Sequence, residues 1–92
     1  MKYEIQRTLQ FKKDFKLALK RNCDIQKLHE IITILANGDT LPESCLDHPL
    51  KGNYSGYREC HVEPDWLLVY KITESVLVLT LYRTGTHSDL FK

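Results

Sequence analysis

The chain has 92 residues, 42% hydrophobic and 27% charged, with a formal net charge of +1. That suffices for one domain with a single modest core, and the composition is globular, unlike that of a disordered chain. Apolar runs such as WLLVY are too short to span a membrane, MKYEIQR lacks an export signal's apolar core, and three cysteines without a CxxC pair suit reduced thiols in a cytoplasm.

The charge is unevenly spread. Residues 1–21 carry Lys2, Arg7, Lys12, Lys13, Lys16, Lys20 and Arg21 against only Glu4 and Asp14. A local basic face of this kind can hold phosphates although the total charge is near zero. In KYEIQ, the alternation of Tyr3 and Ile5 reads as an opening strand. Thr8 is placed to cap a helix over 9–21, with Phe11, Phe15, Ala18 and Leu19 as its core stripe. Lys12, Lys16 and Lys20 share another face of it. Asp24 is placed to cap a second helix over 24–36, with Ile25, Leu28, Ile32, Leu35 and Ala36 as its stripe and Gly38 as its stop. The short RNCD link predicts a helical hairpin.

Residues 38–56 are rich in loop formers, with a short strand expected near Leu50–Lys51. YRECHVE, WLLVYKI and VLVLTLYR come next, separated by PD and TES, and links this short join antiparallel neighbours. The expected fold is one α+β domain over 1–92: an N-terminal strand and a helical hairpin packed on a mainly antiparallel sheet of four to five strands. Phe15, Leu19, Leu28, Ile32, Val69, Leu79 and one of Leu67 or Leu68 are expected in its core. Alternation in YRECHVE sends Cys60 and Val62 toward the helices and Tyr57, Glu59, His61 and Glu63 away. Pro64 should end that strand, leaving His61 and Asp65 close enough to share a hydrogen bond.

His29 belongs on a solvated helix surface. His48 lies in the DHPL loop, His61 at a strand end, and His87 in the polar RTGTHSDLF tail. The last strand returns its Arg83 end to the rim near Pro64–Trp66; Gly85 permits a turn there, and Phe91 offers the tail an apolar anchor. His48, His61, Asp65, Arg83 and His87 can therefore meet on one edge. Imidazoles, a carboxylate and a guanidinium suit RNA cleavage, which needs a base for the 2′-hydroxyl, an acid for the 5′-oxygen and a cation for the phosphorane. Trp66 and Phe91 would give bases flat surfaces to stack on.

LDHPLKGNYSGYRECHVEPDWLLVYKI, together with LYRTGTHSDLF, resembles the YafQ branch of the RelE/ParE toxin superfamily. FKKDFKLALKR and TLPE extend the resemblance over nearly the whole chain. It implies a RelE-like fold and a ribosome-dependent mRNA interferase of a type II toxin–antitoxin pair, cutting in the ribosomal A site without metal or other cofactor. By matching position it implies His48, His61, Asp65, Trp66, His87 and Phe91 as functional residues, with Arg83 on a phosphate. His87 then serves as general acid and Asp65 or His61 as base. Lys12, Lys16 and Lys20 are expected on ribosomal RNA. The implied partners are a DinJ- or RelB-like antitoxin, the ribosome and mRNA, with operator DNA reached only through the antitoxin complex and no membrane. The rival reading is an inactive RelE-fold binding module in transcriptional autoregulation, which has no need of three rim histidines. A zinc site is disfavoured because no pair of candidate ligands has a zinc-ligand spacing.

Overall fold

The computed structural model describes residues 1–91. Strand β1 (Glu4–Arg7) leads into α1 (Leu9–Lys20) and α2 (Ile25–Ala36). After a 3₁₀ turn at Glu43–Cys45 come β2 (His48–Pro49), a second 3₁₀ turn at Gly52–Tyr54, β3 (Arg58–Glu63), β4 (Trp66–Thr73), β5 (Val78–Gly85) and α3 (His87–Leu90). The five strands form one sheet in the order β1-β5-β4-β3-β2. Among the described residues, only the β1–β5 pair is parallel. The α+β architecture expected from the sequence is the one found. The short strand falls at His48–Pro49, slightly before the expected Leu50–Lys51.

Local chemistry explains the helix ends. The Thr8 hydroxyl accepts from the Phe11 N–H at 2.9 Å, as its placement predicted. Asn22 takes a left-handed φ of 58° while the Cys23 N–H reaches back to the Ala18 carbonyl. Gly38, at φ 81°, does the same for α2, with the Asp39 N–H on the Ile34 carbonyl. Both are helix stops that satisfy otherwise orphaned carbonyls. Asp24 differs from expectation: it holds the cap position of α2 but makes no side-chain cap bond.

The helical stripe is rotated from the expected one. Phe11, Asp14 and Ala18 are the buried residues of α1; Phe15 is half-buried and Leu19 is 50% exposed. In α2, Leu28, Ile31, Leu35 and Ala36 are buried and Ile32 is half-buried. These helices cover a sheet face bearing Cys60, Trp66, Leu68, Tyr70, Leu79 and Leu81. The opposite face is covered too. Leu67 and Val69 are buried there beneath Leu90 of α3, with Leu50, Tyr57 and Tyr82 around them. Period-two alternation predicts which face a residue takes, and both faces of β4 are packed. Leu67 and Leu68 are therefore both core residues.

Because β1 pairs only with Val78–Leu81, the outer edge of β5 beyond that point is left for α1. Asp14 closes it. Its carboxylate accepts from the Thr84 N–H at 3.2 Å, from Arg83 Nε and Nη2 at 3.0 and 3.1 Å, and from Gln10 at 3.1 Å.

Phe11→Ala should cost about 3–5 kcal/mol as a large-to-small core change. Leu19→Ala, half in solvent, should cost less than about 1 kcal/mol. Urea unfolding of the two variants checks the rotated stripe, and equal losses would contradict it.

Candidate active site

The rim where β3 ends and β5 returns gathers three of the expected residues. His61 stands near the end of β3, Asp65 in the turn to β4, and His87 opens α3 just past β5. The His61 and His87 rings lie 5.9 Å apart, centroid to centroid. Asp65 Oδ1 is 3.5 Å from His87 Nδ1, so the carboxylate serves His87 and not His61. His61 instead places Nδ1 3.3 Å from the Pro64 carbonyl. A carbonyl only accepts, so that contact puts the proton on Nδ1 and the lone pair on Nε2. Phe91 lies 6.4 Å from His87 and meets Tyr54 edge-on at 5.6 Å.

The tail reaches this place through α3. Thr86 and Asp89 form a reciprocal capping box, and Leu90, not the expected Phe91, is the buried anchor. Phe91 stays 38% exposed, available to a ligand. Arg21, just past α1, donates to Asp89 at 2.7 Å and so ties α3 to the first helix. The Arg21 hydrogen bond, helped by the Thr86 N–H, holds the Asp89 carboxyl at about 2.

His48 sits one strand over, paired in register with Glu59. Its Nδ1 donates to the Leu46 carbonyl at 2.7 Å, and its Nε2 lies 3.5 Å from Glu59 Oε1. An acceptor thus faces each nitrogen, and the ring is held between β3 and its own loop. Glu59 itself points away from the helices, as the alternation expected, and is only 5% exposed there. Asp47 anchors the loop from the other side, accepting from Tyr70 at 2.6 Å and from Arg58 at 3.3 Å.

Two expected residues are placed otherwise. Trp66 is 5% exposed in the helix-side core, and its indole donates to Thr84 Oγ1 at 2.8 Å. It gives no stacking surface, because alternation along β4 sets it with Leu68 and Tyr70 on the face the helices cover. Arg83 is forked onto Asp14, so its charge is already paired away from the rim imidazoles. Lys12, Lys16 and Lys20 are exposed along α1, as their spacing predicted. Asp14, Glu59, Asp89 and Tyr54 were not foreseen; only Asp89 had a local signal, three residues after Thr86. No group of three or more His, Cys, Asp or Glu is placed to hold a metal ion among the described residues.

Residues 3–92 match the model of a family described as the bacterial toxin of type II toxin–antitoxin system, YafQ. The chain belongs to the YafQ toxin family. The mRNA interferase toxin YafQ of Escherichia coli K12 is 48% identical over 89 residues, spanning 96% of this toxin and 95% of that protein. The solved E. coli DinJ–YafQ complex contains a chain with a TM-score of 0.90 and 47% identity, covering 98% of this toxin and 99% of that chain. A metal-bound toxin from Helicobacter pylori has a TM-score of 0.91 and 40% identity, covering 97% and 99%. Among the described residues, no helix of the toxin is long and apolar enough to cross a membrane.

Because the folded Asp89 carboxyl is depressed, its bond to Arg21 stabilises the protein fully above the ordinary carboxylate value of about 4. That contribution is lost as pH falls toward about 2. The gap in urea midpoint between the wild type and Asp89→Asn should therefore be constant above about pH 5 and shrink below about pH 4. A gap independent of pH over this range would show that Asp89 is not clamped.

Proposed function

We propose that this toxin is an mRNA interferase that cleaves ribosome-bound message by acid–base transesterification, working in the cytoplasm against a DinJ- or RelB-like antitoxin. The observation that carries the reading is the facing pair of imidazoles at the rim, each with Nδ1 turned to an acceptor. His61 Nε2 takes the proton of a 2′-hydroxyl, and O2′ attacks the adjacent phosphorus. The bond from phosphorus to O5′ breaks as His87 Nε2 delivers its proton to that oxygen. The products are a 2′,3′-cyclic phosphate and a 5′-hydroxyl.

Asp65 faces His87 Nδ1 and so leaves Nε2 as the nitrogen turned to the leaving oxygen. His48, held between the Leu46 carbonyl and Glu59, completes the set at the rim. Phe91 and Tyr54 offer the stacking surface that Trp66 does not. Lys12, Lys16 and Lys20 present positive charge to ribosomal RNA. Arg83 braces the end of β5, and through it the start of α3. Support also comes from the activity named for the E. coli relative and from the antitoxin complex of the same family.

Proton transfer by two imidazoles asks for no Lewis acid. A chelator selective for zinc and copper, at constant magnesium, should leave the cutting rate unchanged. His87→Ala should slow cleavage about 10²–10⁴-fold with the fold intact, and should remove the basic limb of the pH–rate profile. Primer extension on a translated message reads both. Cleavage by His87→Ala at the wild-type rate would remove the basis of the mechanism.

A further inference from the structure

Strand β2 pairs only with Arg58 and Glu59, so among the described residues the remainder of β3 has no strand on its outer side. The 3₁₀ turn at Glu43–Cys45 lies there instead, and between it, α2 and the end of β3 is a cleft of about 470 Å³. His61 forms part of its wall, beside Lys27, Ser44, Leu46, Glu63 and Pro64. The cleft is thus continuous with the imidazole that takes the 2′-hydroxyl proton.

Two features of its lining are not what folding alone favours. Leu46 holds a left-handed backbone at φ 50°, a strained choice for a side chain with a β-carbon, yet that side chain is 60% exposed. The conformation does two things at once: the carbonyl orients His48, and the isobutyl group forms an apolar lip to the cleft. Lys27 reaches Glu63 only at 3.4 Å, with both side chains substantially exposed. A pair that long and that wet is weak, and a phosphate can take the ammonium from it.

We propose that this cleft is the subsite for the nucleotide carrying the attacking 2′-hydroxyl, its base lying on Leu46 and Pro64 and its 5′-phosphate on Lys27. The inference rests on the reading of His61 as the base. It sets the direction of the RNA: the 5′ side enters past the 3₁₀ turn, and the leaving nucleotide lies toward His87 and Phe91. Base preference immediately 5′ of the cut is then set by the cleft, and preference on the 3′ side by α3.

The test uses ribosome complexes with messages in which the nucleotide 5′ of the cut is each of the four bases. Leu46→Gly removes the lip while a glycine keeps the left-handed backbone, so the carbonyl stays on His48. Its KM should rise on the order of 10-fold, with preference at that one position flattened and preference 3′ of the cut retained. Lys27→Met, on an exposed helix face, should raise KM for all four messages alike and flatten the salt dependence by about 0.7 of a logarithmic unit. Both variants should keep the wild-type pH profile and unfolding midpoint. Wild-type KM and base preference in both would overturn the subsite. A wild-type protein that cuts but depends on Glu59 or Asp65 and not on His61 would overturn the base assignment with it. A wild-type protein that cuts none of the messages would instead sink the nuclease reading itself.

Discussion

A single buried carboxylate organises the working end of this molecule. Asp14 is 8% exposed and satisfied on every side, by the Arg83 fork, the Thr84 N–H and Gln10. Charges in such a place are costly unless fully paired, and removing one partner strands the other. The pairing therefore ties the register of α1 to the far end of β5. Thr84 passes the constraint inward, because its hydroxyl accepts from Trp66 and donates to the Leu67 carbonyl at 2.7 Å. One contact thus aligns a helix and two strands immediately before the turn that launches α3.

The rim beyond that turn carries groups oriented mostly by backbone. His48 and His61 each give Nδ1 to a carbonyl, and His87 turns Nδ1 toward a carboxylate. These acceptors fix how each ring is turned, with β2 and β3 carrying two of the rings and the start of α3 the third. The three imidazoles are not equivalent, however. A carbonyl and a buried carboxylate flank His48, a carbonyl alone anchors His61, and an exposed carboxylate attends His87. Three residues of one type thereby stand in three different sets of surroundings.

Much of this was readable from local signals. Thr8 before an apolar helix, Gly38 after one, and the alternation in YRECHVE as far as His61 each reflect chemistry within a few residues and were found where expected; Glu63 departs from it, because a bulge after His61 pairs it with Trp66 and turns it to Lys27 of α2. The convergence of His61, Asp65 and His87 came from antiparallel return alone. What was not legible depends on partners far away in the chain. Phe11 and Phe15 sit one helical step apart on overlapping faces, and only Arg83, 69 residues from Asp14, decides that position 14 faces inward. Trp66 at the start of a strand looked like a surface platform until Thr84 supplied a buried acceptor. Glu59 obeyed the alternation, but the alternation could not say that Leu90 and its neighbours would cover that face.

The joining of the first helix to the last has a further meaning for biosynthesis. Asp14 has only its helical neighbour Gln10 until residues 83–84 exist, and Arg21 lacks its carboxylate until Asp89 does. His87 lies between these two ties. A nascent chain still lacking residues 83–91 has no closed rim, whatever the state of its helices. The rim of the toxin therefore cannot close before residue 89 has been made, and the antitoxin has the whole of that interval in which to be present when it does.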